Sequence, residues 1–100
     1  MPTYEHQVAR LWTGIRSLCL GYRYEHRLRG AYAQLLLVNR DVVGDLLDEY
    51  HALVRAFALY GGMGGGANQP LAGAITVEGF ELIVDLYLSF YQKVRAGAHG

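Results

Sequence analysis

The chain has 100 residues and a formal net charge of zero, with nine Lys or Arg balancing nine Asp or Glu. That length holds one hydrophobic core and not two, and the balanced charge argues against an autonomous, strongly basic nucleic-acid-binding domain. A lone cysteine, Cys19, excludes an internal disulfide and a cysteine-based metal knuckle.

Apolar residues make up 52% of the chain before its thirteen glycines are counted. Soluble domains usually reach about 45–50% with glycine included. Such a chain has little polar material to dress a surface, which favours an oligomer or a subunit of something larger.

In chain order, the first element spans about residues 4–20. Tyr4, Val8, Leu11, Ile15 and Leu18 are spaced for one face of a helix, with Thr3 as N-cap and Glu5 in the first turn. Cys19, at the end of this segment, reads as a small core residue. A nucleophilic cysteine needs a neighbouring histidine; His6 lies too far along the helix, and His26 approaches only if the chain reverses near Gly21.

A second helix is expected over about residues 22–38, carried by Tyr24, Leu28, Ala31, Tyr32, Leu35 and Val38. Its phase differs from that of the first stripe, which puts a break near Gly21; one kinked helix over 4–38 is the rival. Within it, "GYRYEHRLRGAYAQ" interleaves arginine and tyrosine. Arg23 and Arg27 share a helical face, Arg16 lies two turns before Arg23, Arg29 follows, and Tyr22 and Tyr24 stand between them. Arginine grips phosphate bidentately and tyrosine stacks on bases, yet both are also enriched at protein–protein hot spots. A solvated face is the third reading.

The turn at residues 39–41 is modest, so a helix continuous from the second segment into the third is an alternative. The third segment, about 41–60, carries Val43, Leu46, Tyr50, Leu53, Phe57 and Tyr60 on one stripe, with Val42, Leu47 and Val54 beside it. Asp41, Asp45, Asp48 and Glu49 form an acidic face. Asp48 and His51, three residues apart, could hold an ion together. A di-metal bundle site wants two Glu-x-x-His motifs and two more carboxylates, so a metalloenzyme is a distant alternative.

Residues 60–70, "YGGMGGGANQP", hold five glycines. A phosphate-binding loop needs Gly-Lys followed by Ser or Thr, and Ala67-Asn68-Gln69 follows instead. Gly62, Gly64, Ala67 and Asp85 fit the dinucleotide fingerprint in spacing, but helical residues precede the glycines, and Pro70 and Gly73 interrupt the helix that would have to come next. The expectation is a mobile connection over 61–75, with Met63 as a soft apolar tip able to dock on a partner.

The fourth segment, about 76–95, pairs an apolar stripe (Phe80, Ile83, Tyr87, Phe90, Val94) with a polar one (Glu78, Glu81, Asp85, Ser89, Gln92). Leu82, Leu86 and Leu88 lie off the apolar line, so this helix is apolar over more than one face. Gly14, Gly30, Gly44 and Gly79 sit inside helical patterns, where each costs about 1 kcal/mol against alanine. Either close helix approach offsets that cost or it is merely tolerated.

Charge is unevenly spread: residues 1–40 hold six arginines against Glu5 and Glu25, and residues 41–92 hold seven acids against Arg55. The two halves either pair within the fold or steer one molecule onto another. The longest uncharged stretch, residues 56–77, is spoiled as a membrane span by six glycines and Pro70. The first ten residues lack the pattern of a signal peptide, which fits a cytoplasmic protein.

Together these features lead to an all-α bundle of about four helical segments with a Gly-rich connection before the last. No catalytic, cofactor or metal residues are assigned. The expected function is protein–protein interaction or assembly, with another copy or a protein partner meeting Arg16, Tyr22, Arg23, Tyr24, Arg27, Arg29, Asp45, Asp48 and Met63. Contact with a nucleic-acid backbone through the arginines is the alternative.

Overall fold

The computed structural model describes residues 4–21, 23–39, 44–61 and 75–99. Four α-helices run through them: α1 (Tyr4–Cys19), α2 (Tyr24–Leu36), α3 (Leu47–Gly61) and α4 (Val77–His99). A single 3-10 turn, Gly44–Leu46, leads into α3. No strand occurs among the described residues, and the fold is the expected all-α bundle.

The bonds between helices fix their directions. Near the end of α1, Ser17 Oγ donates to the Arg27 carbonyl at the start of α2, at 3.1 Å. At the other end, the Asn39 N–H donates to Gln7 Oε1 at 2.7 Å. Thus α1 and α2 are antiparallel. Tyr24 stacks on Phe80, and Tyr50 lies beside Phe90, so α4 runs with α2 and against α3. The result is an up-down-up-down bundle in which α1 packs on α2, α2 on α3, α3 on α4 and α4 back on α1.

The apolar stripes explain the core. Leu11, Ile15 and Leu18 of α1, Leu28, Ala31 and Leu35 of α2, and Phe80, Ile83, Tyr87, Phe90 and Val94 of α4 are all buried. From α3 come Tyr50, Leu53, Ala56 and Phe57. Tyr60, expected on that stripe, is instead 44% exposed. Gly61 takes the inward place, and a Cβ there would lie 3.3 Å from Leu28 Cδ1 and 3.6 Å from Ile83 Cδ1.

Two continuous-helix alternatives are ruled out. α1 stops at Cys19, and Arg23 is extended (φ −62°, ψ 154°) before α2 begins. Its carbonyl then accepts the His26 and Arg27 N–H groups at 3.0 and 3.1 Å, which starts the new helix. α2 ends at Leu36, so it does not run into α3. The expected start of the third segment, residues 41–43, lies outside the described residues, as do Thr3 and the glycine-rich stretch 62–74 with Met63. Gly44 opens the 3-10 turn and is not interior to a helix.

α4 is capped by Thr76, whose Oγ1 accepts the Gly79 N–H at 3.0 Å while its carbonyl accepts the Phe80 N–H at 2.9 Å. The helix continues past the expected end near residue 95, through Gly97 to His99. Gly79 and Gly97 are a modest cost for a helix this well packed.

Gly14 sits at the centre of the bundle. Tyr87 reaches across from α4 and its hydroxyl donates to the Ala31 carbonyl on α2 at 3.0 Å. The ring passes over Gly14, where a Cβ would lie 2.7 Å from Tyr87 Cζ and nearer still to the hydroxyl oxygen. Here the glycine permits a close approach. Desolvation by burial pushes the Tyr87 phenol well above its ordinary value near 10.

Candidate interaction surface

The arginine and tyrosine residues singled out in the sequence differ in exposure. Arg16, Arg23 and Arg29 are exposed. Tyr24 is partly buried, its ring stacked on Phe80 with centroids 4.4 Å apart and planes at 15°. One face of Tyr24 is therefore occupied by this chain's own core.

Arg27 belongs to the same cluster. Its guanidinium carbon lies 5.6 Å from the Tyr24 centroid and 5.8 Å from that of Phe80. Two such nearly equal distances, both longer than the gap between the rings, put the guanidinium at the flank of the stacked pair rather than over either face. The electron-rich ring faces are thus not what holds it. Its Nε is buried and has no hydrogen-bond partner among the described residues. Arg27 is committed to packing between α2 and α4. Tyr22 and Met63 lie outside the described residues.

The acidic face is solvated. Asp45 and Asp48 are exposed, and the neighbouring Glu49 meets Lys93 at 3.5 Å, a surface pair of little weight. His51 is exposed and packs edge-on beside Tyr50, with ring centroids 5.7 Å apart. No cluster of three or more His, Cys, Asp or Glu able to hold a metal occurs among the described residues. Cys19 is exposed, contrary to its expected place in the core. It is the last residue of α1 and points to the flank, one step round the helix from the buried Leu18.

Sequence reasoning passed over the cleft between α1 and α4. It is open, measures about 460 Å³, and is lined by Glu5, Val8, Ala9, Trp12, Tyr91 and Arg95. Residues 5, 8, 9 and 12 fall on one face of α1, and 91 and 95 on one face of α4. Trp12 and Tyr91 form the wall, with ring centroids 5.9 Å apart and planes tilted by 37°. The only tryptophan of the chain is left 50% exposed there. A signal was present: Trp12 follows the core residue Leu11 directly and so lies about 100° off the buried stripe of its own helix.

Beyond the cleft α4 exposes Leu88 (37%) and Val77 (50%), with the exposed Glu81 between them. Elsewhere Leu36, Leu37 and Leu59 are more than half exposed. Among the described residues no arginine forms an ion pair with an acid, and the Lys93–Glu49 pair joins two residues of the second half. Among the described residues no ion pair joins an arginine of residues 1–40 to an acid of residues 41–92. No helix among the described residues is long and apolar enough to cross a membrane. Compared with models of known protein families, with curated proteins and with solved structures, the chain matches none.

Proposed function

We propose that the chain is a non-enzymatic interaction or assembly module that works as a homo-oligomer or as a small subunit of a larger complex. The observation that carries this reading is the exposure of Trp12, Leu36, Leu37, Leu59 and Val77, each at least half open to solvent in a bundle whose core is already filled. Scattered exposed leucines are ordinary. Here they accompany a half-exposed tryptophan in a cleft, with the exposed Leu88 on the neighbouring helix, which is how interfaces are marked. The lack of an arginine–acid ion pair between the two halves among the described residues supports the same reading.

Light scattering on the purified chain at low micromolar concentration tests it. A mass of at least twice 11.1 kDa, or a protein that co-purifies in fixed ratio, is expected. A stable species of 11.1 kDa with nothing bound refutes it.

A second reading is contact with a nucleic-acid backbone through Arg16, Arg23 and Arg29, favoured by their exposure and their lack of acidic partners among the described residues. Binding to a short oligonucleotide would then weaken steeply as salt rises. Absence of binding at low salt ends this alternative.

A further inference from the structure

We infer that the α1–α4 cleft is the self-association surface, and that its occupant is the same cleft of a second copy, related by a two-fold axis running along the groove. This rests on the homo-oligomeric reading above and adds to it the face, the register and the residues.

Glu5 and Arg95 both line the lower end of the cleft, one on each helix, and neither is in an ion pair among the described residues. Rotation by half a turn about an axis parallel to the helices exchanges left and right while keeping the ends in place. It therefore sets α1 of one copy against α4 of the other. Glu5 then faces Arg95 of the second copy, and Arg95 faces its Glu5, so both carboxylates and both guanidinium groups gain a partner. An isologous interface needs a surface complementary to itself, and in this register the groove is.

The remaining features agree. In the same register Trp12 packs on the Tyr91 and Leu88 flank of the other copy, which removes a half-exposed tryptophan from water. A buried aromatic centre with a charged rim is the usual anatomy of a tight interface. α1 and α4 are antiparallel within one copy, and the rotation leaves them antiparallel between copies. The positive end of one helix dipole then lies beside the negative end of the next, with Glu5 in the first turn of α1 and Arg95 near the end of α4. The cleft is open and Leu88 stands exposed on the same helix as its Tyr91 wall, which suits an extended helical partner rather than a small molecule confined to 460 Å³.

The test is a charge swap read by mass and by Trp12 fluorescence. Glu5 and Arg95 are exposed, so their substitution leaves the fold intact, and circular dichroism verifies the helix content of each variant. The wild-type chain is expected to be dimeric at low micromolar concentration. Glu5→Arg alone and Arg95→Glu alone should each raise the dissociation constant at least about tenfold, because each sets like charges face to face. The double variant Glu5→Arg/Arg95→Glu should restore dimerisation. Trp12, the only tryptophan, should emit at shorter wavelength in the dimer and shift to longer wavelength as the protein is diluted.

If the wild type associates but the double swap fails to recover, or Trp12 emission ignores dilution, the cleft is not the interface. The proposal then falls while the oligomeric reading stands. A chain that remains at 11.1 kDa, with Trp12 answering to some other protein or ligand, gives the groove to another occupant and overturns the proposal.

Discussion

Replacing Gly14 with alanine should destabilise the bundle, although alanine is the better helix former. The substitution gains about 1 kcal/mol of helix propensity. Against that, the new methyl would meet Tyr87 at 2.7 Å from Cζ and 3.2 Å from Cε1, and still closer to the hydroxyl oxygen. Overpacking of a core costs about 1–3 kcal/mol. The upper end applies, because the neighbour is a rigid ring, fully buried, whose hydroxyl is tied to the Ala31 carbonyl at 3.0 Å. If the ring moves away it also loses that hydrogen bond, worth about 1 kcal/mol. The net expectation is a loss of about 3 kcal/mol, obtained from these three terms. Urea denaturation followed by far-UV circular dichroism measures it, with every variant at one concentration because self-association itself stabilises. Gly21→Ala is the control: no atom lies within 4 Å of a Cβ there, so it should change stability by less than about 0.5 kcal/mol. In the Gly14→Ala background, Tyr87→Phe removes the nearest atom but leaves Cζ too close, so it should recover part of the loss, less than additively. A Gly14→Ala chain as stable as the wild type would mean that Tyr87 does not cross α1 at this point.

Three other outcomes are expected. Thr76→Ala removes the side-chain cap of α4 and should cost about 1 kcal/mol, whereas Thr76→Ser should cost much less; equal losses in urea titration would count against the cap. Gln7→Leu leaves the Asn39 N–H without its 2.7 Å acceptor, and should cost about 1–3 kcal/mol despite the added apolar volume, with a stabilised variant as the contrary result. Burial raises the Tyr87 phenol above its unfolded value near 10, so the unfolded chain ionises first and stability falls as pH rises past about 10, by at most about 1.4 kcal/mol per pH unit from this group. Tyr87→Phe should flatten that decline by one proton's share, and an unchanged slope would contradict the burial of the phenol.

The helices were legible because their stripes hold one period over many residues. Leu11, Ile15 and Leu18, and the run from Phe80 to Val94, had only one face on which to be buried. The start of the third helix was harder to place: Gly44 and Asp45 suit a helix poorly, and the chain enters α3 by a 3-10 turn. Cys19 was misplaced because residue type argued for burial while its position at the end of α1 turned it outward. The stacking of Tyr24 on Phe80, which commits Arg27 to the flank of that pair, joins two helices and has no local signature. Trp12 stood off its stripe from the outset, but only the approach of Tyr91 from α4 turns it into a cleft.

Sedimentation velocity of the wild-type chain over a dilution series tests the central claim, self-association, most directly. A boundary at twice 11.1 kDa is expected at low micromolar concentration, giving way to slower sedimentation on dilution as a reversible dimer dissociates. A single, soluble boundary at 11.1 kDa throughout the series would contradict it.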